Sequence, residues 1–594
     1  MILSDTLAAR LTHGALPDEL HDFSPTEQAS AAEFLIATGA TRAPGTPAIA
    51  LEPLPGDGGP RQMRVAIVND DMPFLVDSIA GAIGARDIAI ERIIHPVVQV
   101  SRDVDGHLTA IDTAGGARES MIYLEMDRAD ARDRRELIEE LAGVLANVRA
   151  ATRDWRAMQA ALAHDAGTLD DTGGEAEGAS LLRWFLDRHF TLLGHQRWSA
   201  ADGADTAGAL GIMRLEHAVP ILADRSRHLA IEWFQAGNKA PLLLKSSLIS
   251  PVHRRVPLDL LVVPITQGGR VTGLSITAGL WTSAALNAPP RSVPVLRQRV
   301  AEFEGKFGFD PAGHTGKALM HALASLPHDL VTGFDSASVE QLALSAMSIA
   351  DRPRPKLVLV RSPLGRHLFA FVWLPREDAT TARRVAIGDM LGEAAGGRVI
   401  NWAISLEDQV VALLRFTIDL REGGRMPEVE PLDQRLARMV RGWVPDVEAA
   451  LAERIPATRA ARLALRYAAA FPANYRNVSS ADEAAQDIVR LSMLEGEGDR
   501  QVYLYPTAAG EDHRLKIYKL NGALALSVVV LVLAMVVAAM FAFRSVMSPL
   551  RRARARRGSG DRRGRRTRRH RGVRGGQRPR LRQCDGAVLA RGVD

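Results

Sequence analysis

Three polar side chains lie between a predicted strand and a predicted helix, and they form the best candidate site in the chain. Asn69, Asp70 and Asp71 end the segment RVAIVNDD (64–71), which has the pattern of a buried strand. The segment PFLVDSIAGAIGARD (73–87) has the pattern of a helix. Backbone N–H groups at a helix N-terminus can bind an anion or a ligand carboxylate. The predicted ligand-binding residues are Asn69, Asp70, Asp71, Met72, Pro73 and Phe74.

Two other interpretations of the same turn stay open. Asp70 or Asp71 could simply cap the helix, with Pro73 in its first turn, where a missing N–H costs nothing. The paired carboxylates could also bind a cation. Capping requires only local geometry and is therefore the simplest of the three interpretations.

Three histidines are spaced seven residues apart, at His314, His321 and His328. Seven residues correspond to two helical turns, about 10 Å, which is too far for one metal ion. Pro327 also interrupts the helical pattern. We therefore expect surface histidines and predict no metal site.

A basic segment, KSSLISPVHRR, contains Lys245, His253, Arg254 and Arg255. A solvated basic turn is favoured here, and an anion site is the alternative. No GxGxxG follows a predicted strand, and GHTGKA lacks the first glycine and the Ser/Thr of a phosphate loop. We identify no catalytic residue and no cofactor-binding residue in this chain. Its one cysteine, Cys584, excludes a disulfide framework.

The charge of the chain is concentrated at its end. The whole sequence has a net charge of +5, yet residues 551–594 contain 17 Arg, no Lys and three Asp, a net +14. The first 550 residues therefore carry −9. The basic tail has no aromatic residues to stack on bases, so no specific nucleic-acid partner is predicted.

The hydrophobic patterns indicate a multidomain α+β protein with helical connecting segments. In each compact unit we expect a sheet covered by helices on one face. One helix should begin near Asp130 and bury Leu137, Leu141 and Leu145. Residues 165–178 are predicted to be a linker. The predicted units are a helical lead-in and linker (1–60), a first domain (61–160), a mixed connecting region (179–350), a second domain (353–421), a helical segment (431–495) and the start of a third domain (500–527).

Seven segments in this order resemble the N-terminal region of the large bacterial NAD-specific glutamate dehydrogenases. They are VNDDMPFLVDSI (68–79), IIHPVVQVSRD (93–103), FLDRHFTLLGH (185–195), SPVHRRVPLDLLVV (250–263), LWTSAALNAPPRSVPVLRQRV (280–300), HTGKALMHALASLPHDLV (314–331) and HRLKIYKLNGALALS (513–527). The resemblance covers residues 20 to 527. It implies ACT-like βαβ modules at 61–160 and 353–421 and a truncated third module at 500–527.

The resemblance also implies the function of the intact protein, which would oxidise L-glutamate to 2-oxoglutarate and ammonium with NAD as cofactor. The catalytic groups and the NAD fold would belong to a part that this chain lacks. The chain itself would regulate and assemble a homo-oligomer, with an amino-acid ligand at residues 69–74, and it would be inactive alone.

The resemblance stops near Ser527, where an apolar run takes over. Residues 528–543 are 16 uninterrupted apolar residues, and with ALALS before them they are long enough to span a bilayer. Residues 528–547 are therefore an apparent transmembrane segment, followed by an Arg-rich tail (551–594) that we expect to be disordered. A genuine anchor would place the chain at the inner membrane. The default expectation is a cytoplasmic protein.

A change of reading frame near codon 527 explains this ending best. The chain has 67 Arg against seven Lys, which indicates a GC-rich gene, and out-of-frame GC-rich DNA yields Arg-, Gly- and Ala-rich text. A real anchor and a genuine basic tail remain the alternatives. Sequencing the DNA past the stop codon tests this prediction. Another frame should continue the third module and then encode a dinucleotide-binding domain, whereas a confirmed frame with nothing beyond it would favour the anchor.

Overall fold

The computed structural model describes residues 2–519 except 14, 16, 55–61, 172–175, 351, 408–409, 421–422, 441–442, 473–474, 477–478, 497–498 and 507–512. The end of the third module, the apolar run 528–547 and the tail 551–594 lie outside the described residues. Contacts divide the chain into two units, Met1–Arg441 and Gly442–Asp594. The predicted multidomain α+β architecture is confirmed.

The first domain is built around a sheet of six described antiparallel strands in the order β1-β2-β6-β4-β5, with β3 also paired to β6. The strands are β1 (Ala48–Pro53), β2 (Gln62–Asp70), β3 (Ile90–Ile94), β4 (Val97–Arg102), β5 (Leu108–Ile111) and β6 (Ala117–Asp127). The helices are α1 (Ile2–Leu11), α2 (Pro25–Thr38), α3 (Leu75–Gly84) and α4 (Ala131–Asp171).

Helices cover both faces of this first sheet. The sequence predicted helices on one face only, and that prediction is wrong here. Alternate residues of β2 point to opposite faces, so Val65 and Ile67 pack with α3 and α4 while Ala66 and Val68 pack with α1 and α2. The predicted lead-in helices therefore belong to this domain. Ser24 and Glu27 form a reciprocal capping box at the start of α2.

Helix α4 is 41 residues long and extends into the predicted linker as far as Asp171. Residues 165–171 are helical, so the linker prediction is wrong for them, and the next helix already begins at Ala176. The predicted stripe is confirmed, because Leu137, Leu141 and Leu145 are buried. Farther along, Asp165 of α4 accepts a hydrogen bond from Ser275 Oγ of the second sheet at 2.7 Å.

The middle domain contains a second antiparallel sheet in the order β10-β11-β12-β7-β8, with β9 paired to β7. The strands are β7 (Phe190–Ser199), β8 (Gly203–Ala204), β9 (Leu210–Gly211), β10 (Leu242–Ile249), β11 (Pro257–Gln267) and β12 (Arg270–Trp281). The helices are α5 (Ala176–Trp184), α6 (Asp224–Gln235), α7 (Ser283–Leu286), α8 (Leu296–Phe307), α9 (His314–Ser325), α10 (His328–Val331) and α11 (Ser336–Ala350).

The third sheet has the order β13-β14-β16-β15. Its strands are β13 (Lys356–Arg361), β14 (His367–Pro375), β15 (Arg398–Glu407) and β16 (Val411–Asp419), accompanied by α12 (Thr381–Ala395) and α13 (Val429–Met439). One face packs on α12 and α13, and the other shares a core with α8, α9 and α11 of the middle domain.

The second unit contains the helices α14 (Trp443–Ala452), α15 (Ala457–Tyr467) and α16 (Ala481–Leu491) and the strands β17 (Arg500–Pro506) and β18 (His513–Lys519). Asp487 of α16 accepts hydrogen bonds from Tyr518 Oη and Lys516 Nζ of β18, both at 2.6 Å. Within the described part of the chain, no helix combines the length and apolar character needed to cross a membrane.

Candidate functional site

The sequence-predicted turn lies at the end of β2, a strand with neighbours on both sides. Asn69 and Asp70 are the last residues of β2, and the Asp71 N–H donates to the Arg118 carbonyl oxygen at 3.1 Å. Phe74 precedes α3 with a left-handed backbone, φ +71°. The six predicted residues therefore stay together as one turn between β2 and α3.

The turn is held by a network of buried and half-buried charges. Arg42 Nη2 donates to Asp70 Oδ1 at 2.7 Å and also to Glu119 Oε1. Arg102 binds both oxygens of Glu119 at 2.8 Å. Arg149 Nη1 donates to the other carboxylate oxygen of Asp70, Oδ2. Because the side chains of Arg42 and Glu119 are 3% and 1% exposed, these charges satisfy one another in place of water.

The network also sets the protonation of its carboxylates. Burial alone would raise the pKa of Glu119, but hydrogen bonds from Arg102 and Arg42 hold it below its ordinary value. Burial likewise opposes a low pKa at Asp70, and Arg42 and Arg149 lower it. Both groups are therefore ionised at neutral pH. The oxygens of Asp70 are already occupied by two guanidinium groups and the Gly45 N–H, which disfavours the cation interpretation.

Capping, the simplest interpretation, is wrong. Phe74 occupies the N-cap position of α3 and makes no side-chain cap bond, and the helix begins at Leu75. Pro73 therefore precedes the helix and does not lie in its first turn. Asp70 is turned toward arginines, and Asp71 pairs with Arg118 at 2.9 Å. The predicted cap failed because distant guanidinium groups bind these carboxylates more strongly than local N–H groups do.

The remaining turn residues differ in exposure. Asn69 is fully buried and accepts a hydrogen bond from Arg149 Nη2 at 2.6 Å. Met72 is half-buried beside Thr152, and Pro73 is exposed. The Phe74 ring lies against His253, with centroids 5.2 Å apart. The side of the turn that faces solvent is therefore formed by Asp71, Met72 and Pro73.

The prediction of a solvated basic turn is wrong for Lys245, one of its four residues. It lies within β10, only 9% of its side chain is exposed, and its Nζ is 2.5 Å from Asp259 Oδ1 and 2.5 Å from Asp329 Oδ2. Lys245 and Asp259 are cross-strand partners in β10 and β11, while Asp329 comes from α10. His253 instead contacts Asp77 at 2.8 Å.

This lysine lies at the wall of a cavity of about 700 Å³ that sequence reasoning missed. The cavity is formed where β10–β12, α9–α10 and the third sheet meet. Its charged lining consists of Lys245, Asp259 and Asp329 together with Arg254 and Arg415. Burial raises the pKa of Asp259 to about 7, because the carboxyl is removed from water and shares its only lysine with Asp329.

The histidine prediction holds for two of its three residues. His314 and His321 are exposed, as expected of surface histidines. His328 is fully buried, so the surface prediction is wrong for it. Burial lowers its pKa, since a charged imidazole would lose its hydration there. Pro327 starts the short helix α10 and turns the chain inward at this point.

We expect the substitution Glu119→Gln to destabilise the first domain strongly. It leaves the buried Arg42 with only Asp70 as an anionic partner, and removing one member of a buried pair costs about 3–5 kcal/mol. Because the folded state lowers the pKa of Glu119, its stabilisation is present above the unfolded pKa and is lost as the pH falls through the folded pKa.

Urea unfolding of the full chain at pH 7 and at pH 4 measures this effect. The difference between wild type and E119Q should be large at pH 7 and smaller at pH 4. The exposed Glu139→Gln on α4 is the matched control and should change little. Equal midpoints for E119Q and wild type at pH 7 would contradict the role given to the network.

Four family models of glutamate dehydrogenase match the chain. The ACT1 domain matches residues 7–141, helical motif 1 matches 293–352, the ACT2 domain matches 356–444 and helical motif 2 matches 450–494. The ACT1 match begins within α1, in agreement with the packing of α1 and α2 on the first sheet.

Similar curated proteins are NAD-specific glutamate dehydrogenases. That of Halomonas elongata is 28% identical over 74% of this chain and 29% of its own length. That of Pseudomonas aeruginosa is 29% identical over 78% of this chain and 30% of its own. That of Mycobacterium tuberculosis is 25% identical over 74% and 28%. The chain thus spans less than a third of each relative.

Among solved structures, an RNA-binding light-oxygen-voltage receptor aligns with 50% of this chain and 90% of its own at 12% identity. Its TM-score of 0.12 is too low to support any structural argument. By contrast, the four family models all describe glutamate dehydrogenase and match successive segments of the chain, and the similar curated proteins are enzymes of the same name. The chain therefore belongs to the NAD-specific glutamate dehydrogenase family and contains the ACT and helical-motif domains of that family.

Proposed function

We propose that this chain is the regulatory and assembly part of an NAD-dependent glutamate dehydrogenase. The intact protein would convert L-glutamate, NAD and water to 2-oxoglutarate, ammonium and NADH, in the cytoplasm. The observation that carries the proposal is the ordered match of two ACT domains and two helical motifs in a chain that spans about 30% of its relatives. ACT domains and helical motifs supply regulation and contacts between subunits in this proposal.

The proposal assigns NAD binding and catalysis to the remaining length of the intact protein. The sheets of the described residues are antiparallel, and none of their strand-to-helix turns carries the glycine-rich pattern that cradles a dinucleotide. This antiparallel architecture supports the assignment of the NAD fold to the remaining length of the intact protein.

Assembly would use the edge strand β15. Among the described strands, β15 pairs only with β16 and has a free edge. Trp402, Ile404 and Leu406 alternate along it with 45%, 43% and 55% exposure. A second copy of the chain would cover these side chains by packing against the same edge.

We expect the purified 594-residue chain to produce no NADH from L-glutamate and NAD, because the proposal assigns catalysis to the part of the relatives that this chain does not span. Absorbance of NADH measures this, with the full-length Pseudomonas aeruginosa relative as the positive control. Light scattering on the same sample should give a multiple of 64.3 kDa. Glutamate-dependent NADH formation would overturn the regulatory proposal, and a monomeric mass would overturn the assembly proposal.

A second candidate function is amino-acid binding at the turn of residues 69–74. The ion pair between Asp71 and Arg118 favours it, because Arg118 is 66% exposed and Asp71 is 21% exposed. An amino acid carries both charges, so its ammonium group can pair with Asp71 and its carboxylate with Arg118. Met72, Pro73 and Phe74 would form the apolar side, while Asn69 and Asp70 hold the turn in place.

Amino-acid binding predicts that one of the common amino acids at millimolar concentration raises the melting temperature of the full chain. The shift should disappear in Asp71→Ala and persist in the control Asp127→Ala, an exposed carboxylate at the far end of the same sheet. If no amino acid shifts the wild-type melting temperature, or if D71A keeps the full shift, the turn is not the binding site.

A further inference from the structure

We propose that the cavity between the middle domain and the third sheet binds a small dicarboxylate, held by Arg254 and Arg415. This site is separate from the turn at residues 69–74, and the proposal does not depend on the dehydrogenase role of the chain.

The charged side chains that line the cavity carry more positive than negative charge. Lys245 is already bound by Asp259 and Asp329, each at 2.5 Å, so it is not free to bind a ligand. Arg254 and Arg415 add two further positive charges to the same lining. With three cations and two carboxylates, the lining carries at least one net positive charge, and an anion would balance it.

Two arginines of the cavity lining have hydrogen-bond donors without a partner among the described residues. Nε of Arg254 and Nε of Arg415 are both buried and have no hydrogen-bond partner among the described residues. Arg254 uses Nη2 to donate to the Trp281 carbonyl oxygen, which fixes its position while Nε stays unsatisfied. A buried N–H of a charged group without a partner is costly. A carboxylate in the cavity beside either guanidinium would offset that cost through its opposite charge.

The rest of the cavity lining is formed by apolar and neutral polar side chains. Pro257, Leu286 and Leu330 offer apolar surface for a short methylene chain. Asn287, Asn401 and Thr417 provide neutral hydrogen-bonding groups in the same lining. The volume of about 700 Å³ falls within the usual range for small-molecule sites.

Two guanidinium groups on different elements select the class of ligand. Arg254 precedes β11, and Arg415 lies in β16 of the third sheet. Each planar fork matches one carboxylate, so a molecule with two carboxylates satisfies both and bridges the two elements. The bound ligand would therefore stabilise the junction between the middle domain and the ACT2 domain.

Isothermal titration of the full chain with succinate tests the proposal, with succinamide as the uncharged analogue of similar size. We expect saturable binding of succinate and none of succinamide. Arg415→Gln should weaken binding by roughly tenfold or more, the loss of one charge-assisted pair. The control Arg398→Gln changes an exposed arginine of the neighbouring strand β15 and should leave binding unchanged.

A second variant keeps the test decisive if R415Q folds poorly. Ala403 lies opposite Arg415 on the edge strand and lines the cavity, so Ala403→Phe should fill the space without removing a charge. Binding that survives A403F, or the absence of any succinate binding by wild type, would overturn the proposal. Inorganic phosphate that binds as tightly, with the same loss in A403F, would overturn the dicarboxylate assignment.

Discussion

The burial of both faces of the middle sheet is the constraint on which the first unit depends. One face shares a core with β2, α3 and α4 of the first domain, and the other shares a core with the helices that cover the third sheet. In an antiparallel sheet that is packed on both faces, consecutive residues of a strand are buried, as in the first seven residues of β11 and the last nine of β12. The first sheet and the third sheet are therefore both packed, directly or through helices, against this middle sheet.

The long helix α4 also connects the first domain to the middle domain. Its first half covers the first sheet, and its second half packs against the middle domain through Leu162, Ala166 and Leu169. Polar contacts accompany this packing: Asp154 accepts hydrogen bonds from the Gly211 N–H and from Arg214 Nε. Helix α4 therefore contacts the first domain and the middle domain as one continuous element.

In two clusters of the described residues, partners from several elements surround the buried charges. Glu119 has Arg42 and Arg102, and Lys245 has Asp259 and Asp329. Each cluster lies at the border of an apolar core, where a domain meets a loop or another domain. A buried charge without partners would cost several kcal/mol, so these clusters depend on the correct packing of distant segments. Arg254 and Arg415 in the cavity differ from these clusters, because the Nε donor of each has no hydrogen-bond partner among the described residues.

Local patterns in the sequence were sufficient to predict β2, the buried stripe of α4 and the family, because periodicity and ordered motifs are properties of short segments. They also identified the turn at residues 69–74 as one connected feature. They could not assign the partners of its carboxylates, since Arg42 lies 28 residues before Asp70 and Arg149 lies 79 residues after it. Lys245 has the sequence context of a solvated basic residue, and its burial follows from Asp259 and Asp329. Secondary structure follows from local chemistry, but the ion pairs and the cavity exist only once the tertiary fold brings residues distant in sequence within hydrogen-bonding distance.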